Sequence, residues 1–268
     1  LFRLIQRRFC HRADPQRKRW FNHGLGGTLT LTLSLKGEGI VAPQGNAVTL
    51  SHWERAGVRE KEANMHDGVK AIDFMYYVAT PEFIRKWNEA KKGELICRME
   101  RAIGGLPQYE SIEAMIQKMD EAGVEKVFIT QCKMWSYRNK WMYMDTSLEE
   151  VAQYVTRHPN RFAGLAGYNP FRITESLREI EHAVKAYGFK GVYVHIYGFD
   201  IPLHDPKMYP LYAKCVELDI PVSMQVGHVL EAMPSEHARP IYLDRVASDF
   251  PDLKMIGAHT GWPWVEEL

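Results

Sequence analysis

Hydrophobic and polar residues follow two alternating patterns over residues 70–259 of the chain. Short apolar runs, typical of strands buried in a parallel sheet, alternate with longer segments whose apolar residues recur every three or four positions, as in amphipathic helices. The predicted strands are VKAIDFMYY (69–77), VEKVFIT (124–130), RFAGLAGYNP (161–170), FKGVYVHIYG (189–198), IPVSMQVG (220–227) and LKMIGAH (253–259).

The segments between these strands are predicted to be helices. They cover residues 111–123, 146–158, 174–188, 205–219 and 238–251. We expect Thr174 to cap the third helix and Gly188 to end it, because a hydroxyl suits a helix start and glycine suits the left-handed end. Strands that alternate with helices at this spacing indicate βα units around a parallel sheet. The prediction is an α/β fold, a (β/α)8 TIM-type barrel truncated after about six βα units, with a doubly wound open sheet as the alternative.

Residues 1–68 are predicted to be a poorly defined N-terminal extension, and residues 69–268 the barrel domain with its C-terminal units missing. Within the extension, TLTLTLSL (28–35) alternates with a period of two and could form an edge strand. The first twenty residues carry many Lys and Arg residues but a single acid, Asp14, and this charge bias is found in mitochondrial transit peptides. We expect a cytoplasmic protein, with a mitochondrial location as the alternative.

Composition and charge narrow the range of partners. A formal net charge of +1 gives no reason to expect nucleic acid or an anionic membrane as a partner. The four cysteines are far apart and form no CxxC pair, which indicates reduced thiols. No apolar run approaches the roughly 18 residues that a membrane span needs. We therefore expect no nucleic-acid or membrane partner, with homo-oligomer formation as a further possibility.

The alternation of side-chain directions along the strands predicts where the candidate site residues lie. In a barrel strand, alternate residues face the interior, and those at the carboxyl end face the active-site mouth. If the more apolar side faces the helices, four polar residues point inward near one mouth: Asp73, His195, Gln225 and His259. The same rule turns the following residues outward: Ile72, Phe74, Val192, Val194, Val222, Met224, Ile256 and Ala258.

Several segments resemble a known family. KAIDFMYY, GVYVHIYG, DPKMYPLYAKCVELDIPVSMQ and above all FPDLKMIGAHTGWPWVEE are similar to the amidohydrolase-related branch of the amidohydrolase superfamily. That branch includes aminocarboxymuconate semialdehyde decarboxylase and the hydroxybenzoate decarboxylases. The similarity covers the chain from Lys70 to Leu268. It implies a metal-dependent barrel that acts as a hydrolase or a nonoxidative decarboxylase on a small carboxylated or aromatic substrate.

The resemblance also implies roles for individual residues. His259, followed by Thr and Gly, matches the family's catalytic acid/base after the sixth strand. The family's metal-binding HxH at the end of the first strand falls on Met75 and Tyr77, and the metal-binding His of the fifth strand falls on Gln225. The resemblance implies a divalent metal, zinc in the first instance. The side chains of Met75, Tyr77 and Gln225 are not usual zinc ligands, so the family's metal-binding residues cannot be assigned to these positions.

The remaining candidates follow from side-chain chemistry. His259 could act as a general acid or base, because imidazole titrates near neutral pH. Asp73 is the candidate second residue for this acid–base chemistry. His195 and His228 are the candidate metal ligands near the mouth. The candidate substrate-binding residues are Gln225, Trp262 and Arg239, the last because its planar guanidinium can pair with a carboxylate.

Three hypotheses of function remain open at this point. The first is a metal-dependent hydrolase or decarboxylase, and the second is a metal-independent relative that uses His259 and Asp73 alone. The third is a non-catalytic or truncated paralogue, in which each candidate residue has only a structural role. The aromatic and basic segment 135–144 is interpreted either as a lid over the mouth or as a packing patch.

Overall fold

The computed structural model of the chain describes residues 30–31, 70–78, 80–90, 109–196, 198–229 and 233–268. Apart from Thr30 and Leu31, the predicted extension 1–68 lies outside this range, so its boundary with the barrel domain stays a prediction. Cys132 and Cys215 are buried free thiols, as expected, whereas Cys10 and Cys97 lie outside the described residues. None of the described helices has the length and apolar character needed to cross a membrane.

A parallel sheet of seven strands runs through the described part of the chain in sequential order. Its strands are β1 (Thr30–Leu31), β2 (Ala71–Tyr76), β3 (Val124–Thr130), β6 (Phe162–Gly167), β7 (Gly191–Val194), β8 (Val222–Gln225) and β9 (Met255–Ala258), while β4 (Lys133–Trp135) and β5 (Met142–Asp145) form a separate antiparallel hairpin. A doubly wound sheet reverses its strand order at a switch point, and these strands do not. The described residues therefore contain six βα-type strands of a (β/α)8-type barrel, which confirms the predicted fold class, and β1 confirms the edge strand within 28–35.

The helices pack between successive strands and are bounded by the signals that the sequence carries. They are α1 (Pro81–Ala90), α2 (Ile112–Glu121), α3 (Leu148–Arg157), α4 (Ile173–Tyr187), α5 (Tyr209–Glu217) and α6 (Tyr242–Asp249), with short 3-10 helices at Glu236–Ala238 and His259–Gly261. Ser147 and Glu150 form a capping box at the start of α3. Gly188 ends α4 in the left-handed conformation, as predicted. The helix α1 and the β4–β5 hairpin were not predicted.

The predicted cap of α4 is wrong. Thr174 lies inside the helix, whose N-cap is Arg172 without a side-chain cap from the described residues. The turn before the helix is instead held by Asn169, whose Oδ1 accepts a hydrogen bond from the backbone of Phe171. The hydroxyl of Ser176 in turn accepts one from the backbone N–H of Asn169. A side chain that stabilises the preceding turn thus takes over the role of a cap.

Two hydrophobic clusters lie on opposite faces of the sheet. The outer cluster joins the sheet to the helices and includes Val127, Ile129, Val192, Val194, Val222 and Met224 from the strands. The inner cluster includes Phe74, Met75, Tyr77 and Tyr193 from the strands, Ile84 and Trp87 from α1, and Met134, Tyr143 and Met144 from the hairpin. Because α1 and the hairpin cover the inner face, that face is also apolar.

The predicted face of β9 is wrong for this reason. Ala258 belongs to the inner cluster and Ile256 packs against it, although both were expected to face the helices. A Cβ placed on Gly257 would lie 3.5 Å from Leu243 Cδ1 on α6, so Gly257 faces outward. Apolar character marks the helix side only where the other face is polar, and this inner face is covered by hydrophobic side chains.

The predicted inward direction of Asp73 is also wrong. Asp73 pairs with Val127 and Tyr76 with Ile129, so three steps on β2 match two on β3 and a bulge lies between them. Neighbouring residues in register share a face, and Val127 belongs to the outer cluster. Asp73 therefore lies on the helix-facing side.

Candidate active site

Buried polar atoms without a partner collect at the carboxyl ends of three strands. In the described part of the chain, the following side-chain atoms are buried and make no hydrogen bond: Thr130 Oγ1, Tyr193 Oη, His195 Nδ1, Ser223 Oγ and Gln225 Oε1. Each lies at an inward position, because its strand neighbours or register partners include Leu165, Tyr193 and Ala258 of the inner cluster. Native proteins satisfy nearly all buried polar groups, so a group of exceptions on one face marks a candidate functional site.

His195 is held by two aromatic rings on this face. The hydroxyl of Tyr77 lies 2.5 Å from His195 Nε2, and the two rings stack with centroids 5.9 Å apart. Tyr193 meets the same imidazole edge-on at 4.6 Å. Burial and, to a smaller extent, the charge of His259 together lower the pKa of His195 from 6.5 to about 3. The imidazole is therefore neutral at physiological pH.

His259 follows β9 through a change of backbone conformation. Ala258 faces inward, so simple alternation would turn His259 outward. Instead, His259 and Thr260 have φ of 68° and 57°, in the left-handed region that non-glycine residues seldom adopt. The electrostatic interaction with His195 indicates that the His259 imidazole lies near the inner face. This position agrees with the predicted one, although the strand parity that led to it is wrong.

Asp73 is not brought to the same face as His259. It is buried at 7% exposure, and its Oδ1 accepts a hydrogen bond of 3.1 Å from the backbone of Met75. Burial raises the pKa of Asp73 to about 7, and the hydrogen bond from Met75 offsets part of that rise. The predicted acid–base pair of Asp73 and His259 is therefore not formed by direct contact across one face.

The loop after β8 holds His228 and Trp262 together. The backbone N–H of His228 donates to the Trp262 carbonyl at 2.5 Å, and its imidazole meets the Trp262 ring edge-on. The Nδ1 atom of His228 lies 2.9 Å from the Ser235 hydroxyl. His228 is exposed, and 40% of the Trp262 surface is exposed as well. Trp262 can border a ligand from the solvent side.

The guanidinium of Arg239 is engaged by carboxylates of the protein. It forms ion pairs with Glu267 and, at 3.5 Å, with Glu236, and it lies 5.8 Å from the ring centre of Trp264. A substrate carboxylate would have to compete with both acids. The predicted substrate-binding role of Arg239 stays a prediction with no support from its contacts.

The described residues do not fit the implied metal. Among them, no three His, Cys, Asp or Glu side chains are close enough to hold a metal ion together, and His195 and His228 are not part of such a group. Met75 and Tyr77, at the expected HxH positions, belong to the inner cluster. Zinc in proteins is held by three or four such ligands. The described residues therefore do not form a zinc site.

Sequence reasoning missed several members of this site. Thr130 and Ser223 received no role, and Tyr77 was noted only as a residue that cannot bind metal. The signal in the sequence is a polar residue at an alternate position near the end of an otherwise apolar strand, as in VSMQ (222–225).

The hairpin that covers this face is anchored by a buried lysine. Lys133 is 9% exposed at its side chain and lies 2.8 Å from Asp145 and 3.1 Å from Glu179 on α4. Trp135 of the hairpin packs against Phe171 and Phe199. These contacts support the interpretation of segment 135–144 as a packing element.

Solved structures of other proteins share this fold. Solved structures with this fold include an uncharacterized TIM-barrel protein from Bordetella bronchiseptica, at 23% identity and a TM-score of 0.54 over 74% of this chain and 70% of that chain. They also include 5-carboxyvanillate decarboxylase from Novosphingobium aromaticivorans, in complex with manganese and 4-hydroxy-3-methoxy-5-nitrobenzoic acid, at 18% identity and a TM-score of 0.52 over 72% of this chain and 66% of that chain. The 5-carboxyvanillate decarboxylase from Sphingomonas paucimobilis matches at 18% identity and a TM-score of 0.52, over 72% of this chain and 68% of that chain. These likenesses establish the TIM-barrel class of fold.

The C-terminal part of the chain also matches a family model. Residues 138–268 match the family model described as amidohydrolase. The matched range contains β5 to β9 and includes His195, Gln225 and His259. The resemblance to the amidohydrolase-related family is thereby confirmed.

Proposed function

We propose that this protein is an amidohydrolase-related enzyme that acts on a small carboxylated or aromatic substrate, either as a nonoxidative decarboxylase or as a hydrolase. The observation that carries this proposal is a group of buried polar atoms on the inner face that have no hydrogen-bond partner among the described residues, at Thr130, Tyr193, His195, Ser223 and Gln225. Leaving such groups unpaired costs about 1–3 kcal/mol each, which a substrate that pairs with them would offset.

The polar groups suit the oxygen atoms of a hydroxybenzoate-like molecule. The hydroxyls of Thr130, Tyr193 and Ser223 can donate to a carboxylate or phenolate oxygen, and the surrounding Phe74 and Met75 offer an apolar surface to a ring. Gln225 can orient a substrate hydroxyl through its amide. The neutral imidazole of His195 adds a further polar contact without bringing a charge.

His259 is the proposed proton-transfer residue. In a decarboxylation, the bond between the ring carbon and the carboxylate carbon breaks, CO2 leaves, and the electron pair stays on the ring carbon. A proton from the His259 imidazolium then restores the ring, and solvent reprotonates the imidazole. In a hydrolysis, the neutral form of the same imidazole accepts a proton from the attacking water, the water oxygen bonds to the substrate as the bond to the leaving group breaks, and the imidazolium returns the proton to the leaving group. A positioned acid or base of this kind contributes about 10²- to 10⁴-fold in rate.

The form of the reaction proposed here is the metal-independent one. It is favoured because the described residues bring together no metal-binding group. The zinc-dependent enzyme that the sequence predicted is the alternative to it, while a cytoplasmic location, the absence of nucleic-acid or membrane partners and a possible homo-oligomer remain proposals. Metal analysis decides between the two forms.

A panel of hydroxybenzoates and carboxylated phenols tests the proposal. We expect release of CO2 or a hydrolysis product from at least one of them, with strong loss of turnover in His259→Asn and none in His182→Asn, a variant of an exposed histidine on α4. Tyr193→Phe, which removes only the unpartnered hydroxyl, should weaken the stabilisation that the active compound gives in a thermal melt. If no compound is turned over and none stabilises the protein, the non-catalytic alternative is favoured.

A further inference from the structure

The Tyr77 hydroxyl occupies the nitrogen of His195 that could otherwise bind a metal. Tyr77 Oη lies 2.5 Å from His195 Nε2, and the two residues, which directly follow β2 and β7, are 118 positions apart in sequence. Both residues are buried, at 3% and 1% exposure. A hydroxyl at hydrogen-bond distance on that lone pair leaves no room for an ion beside it.

The other nitrogen of the same ring is one of the buried polar atoms of the candidate site. His195 Nδ1 is buried and has no hydrogen-bond partner in the described part of the chain. The imidazole cannot turn freely, because Tyr77 stacks on it and Tyr193 meets it edge-on. A neutral imidazole carries a proton on one nitrogen only, so a hydroxyl that donates to Nε2 places that proton on Nδ1.

We propose that Tyr77 replaces the metal ion: its hydroxyl donates to Nε2 and holds His195 in the Nδ1–H tautomer, so that His195 donates a hydrogen bond to a substrate oxygen. Tyr77 is thus a positioning residue, and His195 is a substrate-binding donor and not a metal ligand. The inference deepens the proposed function and rests on it for the identity of the substrate. The tautomer and the absence of a metal site can be measured without any substrate.

The first experiment reads the tautomer directly. In the full chain labelled with ¹⁵N-histidine, we expect the His195 ring to show a protonated Nδ1 and an unprotonated Nε2 near neutral pH. Tyr77→Phe keeps the ring stack and removes the hydroxyl, and it should abolish this preference. Phe83→Leu is the matched control, because Phe83 stacks on Tyr77 without touching the hydrogen bond. A wild-type His195 protonated at Nε2 would overturn the proposal.

The second experiment reads metal binding. We expect the wild-type chain, and Tyr77→Phe, to bind no stoichiometric Zn²⁺, Co²⁺ or Mn²⁺ in equilibrium dialysis after chelator treatment. The double variant Met75→His/Tyr77→His restores two imidazoles beside His195 and should gain a Co²⁺ site with the absorption bands of low coordination. One tightly bound metal per wild-type chain would refute the replacement.

The two experiments remain informative if a variant does not fold. Circular dichroism identifies an unfolded double variant, and the wild-type dialysis and the Tyr77→Phe spectrum then decide the proposal by themselves. A metal-free protein with the expected tautomer but no turnover would leave this inference standing and count against the proposed function. A metal-loaded, active protein would refute this inference and support an enzymatic function.

Discussion

His259 lies close enough to His195 that its charge adds to the effect of burial in lowering the pKa of the His195 imidazole. The two residues come from different βα units, at the ends of β9 and β7. Their proximity depends on the left-handed backbone at His259, where φ is 68°. A proton-transfer group and a neutral polar group thus share one face of the sheet.

The first prediction concerns His259. His259→Asn should lower turnover by at least about a hundredfold, because the proton donor is lost. The melting temperature should change little, since asparagine tolerates the left-handed conformation well. His259→Val is the control, and it should reduce stability because a β-branched residue is strained there. Retained activity with a melting point several degrees lower in His259→Asn would make His259 a structural residue.

The second prediction concerns pH and Asp73. The pKa of Asp73 rises from 3.8 to about 7 on burial, so the folded state keeps this proton after the unfolded state has lost it. The free energy of unfolding should therefore fall between about pH 4 and pH 7 and then level off, by an amount on the order of 4 kcal/mol. Below pH 4 both states are protonated and the group has no effect.

Asp73→Asn tests this directly. The amide can still accept the hydrogen bond from Met75 and carries no charge, so the variant should be more stable than the wild type at pH 8 and similar at pH 4. Urea denaturation at both values measures the difference. Asp252→Asn, at an exposed position, controls for the change in net charge. An unchanged pH profile in Asp73→Asn would show that Asp73 is ionised in the folded protein.

The third prediction separates a binding hydroxyl from a structural one. The hydroxyl of Ser223 is buried without a partner, so Ser223→Ala should raise the free energy of unfolding by about 1 kcal/mol and weaken binding of the substrate. The hydroxyl of Ser176 bonds Asn169, so Ser176→Ala should lower stability by a similar amount. Chemical denaturation measures both variants. Loss of stability in Ser223→Ala would mean that its hydroxyl has a structural partner.

The fourth prediction uses two glycines with positive φ. Gly198 has φ of 79°, and a Cβ there would lie 1.4 Å from the Trp135 carbonyl oxygen on the β4–β5 hairpin. Gly188 has φ of 67° and nothing within 4 Å of such a Cβ. Gly188→Ala should cost about 1–2 kcal/mol from the backbone alone, whereas Gly198→Ala should cost several kcal/mol more or prevent folding. Equal effects in thermal melts would show that the hairpin can move away.

The sequence by itself determined the kinds of elements and their order. Hydrophobic periodicity is a local property, and it predicted five helices and six strands that alternate as the structure shows them. It also predicted the helix end at Gly188, because that conformation depends on the absence of a side chain at one position. The family resemblance rested on local segments of the same kind and is confirmed over residues 138–268.

Only the tertiary structure decided which residues meet. The inner face is covered by Trp87 from α1 and by the hairpin, so an apolar side chain such as Ala258 could not reveal its direction from sequence. A bulge in β2 turns Asp73 outward, and the left-handed backbone conformation of His259 turns its side chain back toward the inner face. The pairing of Tyr77 with His195 spans 118 residues. Such contacts depend on strand register and on local breaks in the alternation of side chains, which no periodic pattern encodes.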